Sequence, residues 1–313
     1  MILADFLVFD EKGLYCRYGD FYIDPQQPAE RAVVSHAHGD HACPGNHMVY
    51  CTAPTASLMR ARLSKNAARQ FVIHSYHQPF DIGGVQITLI PAGHILGSAQ
   101  VLMEYQNTRY VYTGDIKFQD DPTCEAVEVV RADVLITETT FADPAISHPA
   151  AESEIEKLNS SMHNVLLGAY ALGKSQRLIS LINTYCPERT VLLHHSILPL
   201  TRIYDEYSYS PGKYLPYNRK LMKSPGQGFV YIVPPLTFDC YFRAKGVLRV
   251  FASGWERLQR QNDLELYISD HADWQDILHL VELSQPTEIW TLHGKGEHLK
   301  EYFKGKLPVK ILL

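Results

Sequence analysis

Through the first half of the chain, apolar positions fall in short runs separated by Gly, Asp and Pro, the pattern of strands joined by tight turns. Residues 6–9 and 14–16 flank an Asp-Glu-Lys-Gly turn, and 21–23 follow Gly19-Asp20. Residues 32–35 form a brief apolar strand that runs straight into a polar cluster. Alternating or continuous apolar stretches at 85–90, 99–105, 110–113 and 134–137 read as strands of a packed sheet. Residues 55–63 carry Ala and Leu at helical spacing behind Pro54, a residue suited to a first helical turn.

After Pro149 the pattern changes to alternating helices and strands. Helices are predicted at 152–163, 174–185, 198–207, 272–284 and 297–304, and strands at 165–170, 191–194, 230–233, 247–251, 264–269 and 288–292. Residues 208–228, rich in Tyr, Pro, Gly and Lys, read as a long loop. There is no internal repeat and no low-complexity tract.

Composition narrows the class. The 313 residues are 46% hydrophobic and 20% charged, an ordinary globular balance. No apolar run approaches the ~20 residues of a membrane span, and Met1-Ile-Leu-Ala-Asp-Phe6 lacks the basic start of a signal peptide. A cytoplasmic protein without membrane association is therefore expected. Six cysteines stand singly, which implies neither a disulfide framework nor a thiolate zinc knuckle. The net charge of −5 hides an asymmetry: residues 168–260 hold thirteen Lys/Arg against five Asp/Glu, a local +8 that points to a polyanionic partner.

Fifteen histidines are the unusual number. Ser35-His36-Ala37-His38-Gly39-Asp40-His41 places three imidazoles and a carboxylate just after a strand. Histidines two apart in extended backbone face the same way, so His36 and His38 can grip one ion while Asp40 and His41 face a second. Imidazole and carboxylate without thiolate suit Zn²⁺, Mn²⁺ or Fe²⁺. His94, in Pro91-Ala-Gly-His94, Asp115, in Thr113-Gly-Asp115, and His293, in Thr291-Leu-His293-Gly294, lie at further strand ends and complete a set large enough for two metals.

His-x-His-x-Asp-His followed by Gly-His and Gly-Asp at strand ends resembles the metallo-β-lactamase fold. Glu138 in Ile136-Thr-Glu138-Thr, His271 in Ser269-Asp-His271-Ala-Asp273, and His293 resemble motifs A, B and C of that superfamily's β-CASP nucleases. Gly93-His-Ile-Leu-Gly-Ser98 and Ala171-Leu-Gly-Lys174-Ser-Gln-Arg177 are similar to further β-CASP segments. Phrases such as Gly19-Asp-Phe-Tyr-Ile-Asp24-Pro25 and Phe251-Ala-Ser-Gly-Trp255 are most similar to the bacterial ligase-associated DNA exonucleases. Asp270 departs from the small residue many β-CASP members have there; it either holds the His271 ring or faces solvent.

The resemblance implies an α/β architecture: a metallo-β-lactamase αββα sandwich (residues 1–148 and 251–313) with an inserted β-CASP domain (149–250). It implies two divalent ions, zinc or manganese, one on His36, His38 and His94, the other on Asp40, His41 and His293, bridged by Asp115. Asp40, Glu138 and His271 would carry catalysis, with His271 as proton donor and Glu138 orienting its ring. Asp24 would steady a ligand histidine through a hydrogen bond. Ser98, Lys174, Arg177 and Ser253 would meet nucleic acid, the positive field being extended by Arg202, Lys213, Arg219, Lys220, Lys223, Arg243, Lys245 and Arg249. Nine tyrosines between 170 and 241 could stack on unpaired bases. The expected activity is a two-metal DNA exonuclease that works in repair with a ligase and a helicase. Competing readings are a β-CASP ribonuclease, a small-molecule metallohydrolase with no use for Glu138 and His271, and a metal-free scaffold, which seven filled ligand positions disfavour.

Overall fold

Strand side chains alternate between two cores, as period-2 geometry requires. In the strand Ala99–Tyr105, Val101 and Met103 enter one buried cluster and Leu102 another; Tyr110 and Tyr112 against Val111, and Val134 and Ile136 against Leu135, repeat the division. Sequence runs that look continuously apolar are therefore strands buried on both faces.

The computed structural model describes residues 1–223, 226–242, 245–260 and 262–312. Arg243, expected to extend the positive field, lies outside the described residues. The chain divides into two compact units. The first comprises Met1–Phe118, Cys124–Ser147 and the chain from His271 onward; the second comprises Gln119–Thr123 and His148–Asp270.

In the first unit a six-stranded sheet runs, in spatial order, Leu7–Asp10, Gly13–Cys16, Phe21–Ile23, Arg31–Val33, Asn46–Cys51, Ala68–Ile73. A seven-stranded sheet runs Val309–Ile311, Glu288–Gly294, Val134–Thr139, Thr108–Tyr112, Ala99–Tyr105, Val85–Pro91, Phe80–Ile82. Phe6, Leu14, Phe21, Val33, Ile87, Val101, Tyr110 and Trp290 are packed in the core that the two sheets share. The helix Trp274–Ser284 seals the far face of the second sheet with Ile277, Leu280 and Val281. The helix Ala53–Leu63 lies against Ala68–Ile73, with Arg60 over the Phe71 ring at 4.4 Å. This is the expected αββα layering.

The second unit is built on a parallel five-stranded sheet, in order Leu215–Pro216, Thr190–Leu193, Phe229–Val233, Asn164–Gly168, Val247–Phe251. The helix Lys174–Tyr185 packs Leu178, Ile179 and Ile182 onto it.

The chain returns to the first unit at His271 rather than at residue 251. Phe251, Ala252, Leu266 and Ile268 are buried in the second unit's cores, which holds the intervening segment there. The strand predicted at 264–269 does not form. Its backbone is satisfied by side chains instead: Gln259 bonds both the N–H and the carbonyl of Leu266, Lys174 donates to the carbonyl of Ile268, and Arg177 to that of Ser269. The helix predicted at 152–163 is shorter, Ala151–Glu156 followed by a 3₁₀ turn Lys157–Ser160. The loop at 208–228 holds a two-residue strand and the helix Arg219–Met222. Among the described residues no helix is long and apolar enough to cross a membrane.

Candidate metal centre

Strand direction gathers the candidate ligands. Thr108–Tyr112, Val134–Thr139 and Glu288–Gly294 are parallel neighbours, so their carboxyl ends share one edge, and Val85–Pro91 runs the same way two strands further on. Asp115, Glu138, His293 and His94 follow or end these strands. The segment from Ser35 to His41 leaves Arg31–Val33 of the other sheet and closes a turn in which the His41 and Ala42 N–H groups donate to the carbonyl of His38. Two glycines permit the convergence. Gly114, at φ +56°, brings the Asp115 loop so near Ser35 that a Cβ would sit 2.9 Å from its Oγ. Gly93, at φ +73°, would place one 2.5 Å from the Lys117 carbonyl.

His38 Nδ1 lies 3.1 Å from His36 Nε2 and 3.0 Å from His94 Nε2. Asp115 Oδ2 is 3.4 and 3.5 Å from the same two nitrogens, and the four groups fall within 4.8 Å of one another. Three imidazole nitrogens aimed at a common point beside a buried carboxylate form a donor set that fits a divalent cation. His41 continues the cluster, its Nε2 3.3 Å from Asp115 Oδ1 and its Nδ1 2.8 Å from Asp24 Oδ2. Around His41 the site opens to solvent. Asp40 Oδ2 is 3.8 Å from His41 Nε2 with its side chain 74% exposed, and the exposed His293 has its ring centroid 5.3 Å from that of His41. His293 is turned there by a bulge: register slips between Glu138 and Thr139, and His293 takes φ +48°.

The buried charges oppose one another. Burial holds His94 well below the usual imidazole range, and burial together with His41 lowers His36. Burial alone would lower His41 too, but the Asp115 and Asp24 carboxylates hold it well above its ordinary value. Burial likewise works against Asp115, which stays well below the carboxylate range because His41 and His271 face it. Without metal, His41 therefore keeps its proton at neutral pH while His36 and His94 are neutral. An ion binding at His41 is expected to displace about one proton, an ion at His94 almost none. Affinity at the His41 position should accordingly fall as pH is lowered. Calorimetric titration of metal-free protein in buffers of differing ionisation enthalpy measures this, and proton-neutral uptake of both ions would contradict it.

Beside the cluster, Glu138 accepts hydrogen bonds from the Ile116 N–H at 2.8 Å and the Thr140 hydroxyl at 2.6 Å. Its Oε2 meets His271 Nδ1 at 2.8 Å. The His271 side chain is 27% exposed, its ring centroid 5.0 Å from that of His94 and its Nδ1 3.9 Å from Asp115 Oδ2. A fixed carboxylate thus binds Nδ1 and sets the orientation of the ring.

Four expected nucleic-acid contacts are corrected. Ser98 is buried, and its Oγ accepts from the N–H groups of His94 and Ile95, so it shapes the His94 loop. Lys174 and Arg177 are buried and paired internally: Lys174 Nζ is 3.2 Å and Arg177 NH1 3.1 Å from Asp270 Oδ1, and Arg177 also bonds Gln119. Asp270 is therefore buried between two cations and does not face solvent. Ser253 is buried and caps the turn at Trp255. The charge asymmetry also shrinks, because the flanking segments that belong to the second unit are acidic. That unit holds fourteen Lys/Arg against thirteen Asp/Glu, a net +1, and the first is −6. Of the nine tyrosines, Tyr204 and Tyr231 are buried, Tyr170 and Tyr241 are exposed and the other five lie between.

Sequence reasoning passed over several supports. Arg62 donates to the carbonyl of Ala37, Gln26 to that of Asp40 and the buried Lys117 to that of His94. Tyr112 donates to Asp24 at 2.9 Å. Tyr112 stands three residues before Asp115, but inside an apolar run it reads as core.

Residues 22–195 match the family described as the beta-lactamase superfamily domain. A probable DNA ligase of Opitutus terrae is 34% identical over 300 residues, covering 90% of this chain and 28% of that protein. An RNase J-like protein of Methanocaldococcus jannaschii is 30% identical over 184 residues, covering 50% of this chain and 44% of that protein. The chain thus spans less than half the length of either relative. A crystal structure of a protein of unknown function from Enterococcus faecalis V583 shares the fold, with a TM-score of 0.60 at 17% identity over 92% of this chain and 80% of the other.

Proposed function

This chain belongs to the beta-lactamase superfamily, and from that premise we propose that it is a two-metal DNA exonuclease whose second unit is a β-CASP domain. The observation that carries the reading is the Glu138–His271 pair at 2.8 Å beside the ligand cluster. Cleavage of a phosphodiester expels an alkoxide that needs a proton, whereas a site built only to open a lactam or thioester has less use for a separate, carboxylate-oriented acid.

His36, His38, His94 and Asp115 would hold one ion, and Asp40, His41, His293 and Asp115 the other. Once bound, such ions supply a nucleophilic water near neutral pH and offset charge on the phosphoryl oxygens. The chain's own groups do the rest. Asp24 fixes His41 with Nε2 facing Asp115. Glu138, itself held by Ile116 and Thr140, keeps the His271 Nδ1 proton in place so that Nε2 delivers one to the leaving oxygen. Exposed Arg202, Lys213, Arg219, Lys220, Lys223 and Lys245 on the second unit, with Tyr170 and Tyr241, offer a polyanion both charge and aromatic surface.

DNA is the favoured substrate because the relative covering 90% of the chain is named a probable DNA ligase, and hydrolytic trimming of ends belongs to the chemistry that prepares them for joining. The RNase J-like relative favours a second reading, RNA processing. Matched DNA and RNA strands, labelled separately at each end and incubated with Mn²⁺, Zn²⁺ or Mg²⁺, separate the two. Progressive shortening of DNA, lost in His38→Ala, is expected. Preferential cleavage of RNA would replace the substrate, and no cleavage of either would remove the nuclease reading.

A further inference from the structure

We propose that Tyr112 and Ser35 are positioning residues that, through Asp24, set the ring orientation of one ligand histidine for each of two metal ions. This rests on the reading of the cluster as a metal site.

Asp24 is buried and accepts four hydrogen bonds: from the Ser35 N–H at 2.7 Å, the Ser35 hydroxyl at 2.5 Å, His41 Nδ1 at 2.8 Å and the Tyr112 hydroxyl at 2.9 Å. With its hydroxyl proton given to Asp24, Ser35 Oγ is left as an acceptor for His36 Nδ1, 3.0 Å away. A single carboxylate therefore dictates the same tautomer twice, directly at His41 and through Ser35 at His36. In both rings Nδ1 donates into the network and Nε2 is the nitrogen that faces Asp115, so Nε2 is the atom that would meet an ion once the extra proton of His41 is displaced.

Two features argue that the network is built for this orientation. Asp24 adopts φ +44°, a left-handed conformation rare outside Gly, so its backbone is held in strain to deliver the carboxylate. Tyr112 lies in the apolar core shared by the two sheets, where a phenyl ring would fill the same space. Its hydroxyl is desolvated there, a cost offset by the bond to Asp24.

The network is not shared equally. Among the described residues the Tyr112 hydroxyl bonds the carboxylate and not a histidine, and the same Oδ2 also holds His41. Ser35 touches both the carboxylate and His36. Loss of the tyrosine hydroxyl should loosen the His41 ring first, and loss of the serine hydroxyl should disturb both rings.

Tyr112→Phe and Ser35→Ala, prepared metal-free and titrated with Co²⁺ under a competing chelator, test this. The absorption bands report each ion's ligand field, and thermal melting of the metal-free proteins is recorded alongside. Tyr112→Phe is expected to weaken one of the two Co²⁺ sites by ~10–100-fold and alter its spectrum while the other changes less than about twofold; Ser35→Ala is expected to weaken both. A Tyr112→Phe protein that matches the parent in both affinities and in spectrum overturns the proposal, whatever its melting temperature. A parent that takes up no divalent ion overturns the metal reading and this proposal with it.

Discussion

Replacing His271 with alanine is expected to reduce turnover on a nucleic-acid end by ~10²–10⁴-fold while metal content stays at the parent value. The separation of the two readouts follows from geometry. His271 Nδ1 is engaged by Glu138 at 2.8 Å, and neither group belongs to the His36, His38, His94 and Asp115 set; both also group with Asp115 as donors a metal could use, so metal content is the readout that separates a proton donor from a ligand. A ligand histidine would behave differently, since its loss would lower metal content together with rate. The leaving group decides further. A phosphodiester that releases an acidic phenol departs as a stable anion and needs no proton, so on that substrate the defect should shrink to about tenfold or less. Glu138→Gln should show the same dependence in milder form, ~10–100-fold on the natural linkage, because the imidazole is still present but no longer held. If His271→Ala is equally impaired on both kinds of substrate, the residue is not the proton donor.

How far this site could be read from sequence depends on what each residue contributes. The candidate ligands stood out because metal chemistry needs rare side chains at short spacing, as in the segment from His36 to His41, or directly at strand ends, as with His94 and Asp115. The strands between them were legible from apolar alternation, and the two-sided burial of Ala99–Tyr105 and Val134–Thr139 explains why alternation there gave way to continuous runs. Asn46–Cys51 and Ala68–Ile73 were not foreseen: both carry several polar or half-buried positions, so no apolar run marks them. The bulge that aims His293 leaves no trace in composition, since it is a slip in pairing with Val134–Thr139. Side chains that serve through a second group, such as Tyr112 and Ser35, look like core and linker until their partners are in place.

Cations were the opposite case, where residue type suggested function and burial withdrew it. Arg177→Ala is expected to destabilise the protein by ~3–5 kcal/mol, the scale of an ion-pair partner left unpaired in a protein interior. Arg177 is almost wholly buried, its guanidinium spread over Asp270 Oδ1 at 3.1 Å, Gln119 Oε1 at 2.8 Å, the Ser269 carbonyl at 2.6 Å and, more distantly, Asp121 Oδ2 at 3.8 Å. Its removal takes one of two cations from the Asp270 carboxylate and a donor from the Ser269 carbonyl, two residues before His271. Chemical denaturation measures the loss. Adding Asp270→Asn to Arg177→Ala should not recover it, because the carboxylate still faces Lys174 at 3.2 Å and its loss would take that counter-charge from a buried ammonium. An arginine whose work is to meet phosphate predicts the reverse: unfolding free energy within ~0.5 kcal/mol of the parent, weaker binding of nucleic acid, and a shallower dependence of that binding on salt. Lys174 sharpens the comparison, since its Nζ donates to the Ile268 carbonyl at 2.5 Å as well as facing Asp270. Lys174→Met should therefore also cost stability before it costs affinity. Exposed Lys213 and Lys220 should do the opposite, so the pair of buried substitutions and the pair of exposed ones together divide the second unit's cations into those that hold the segment leading to His271 and those that face solvent.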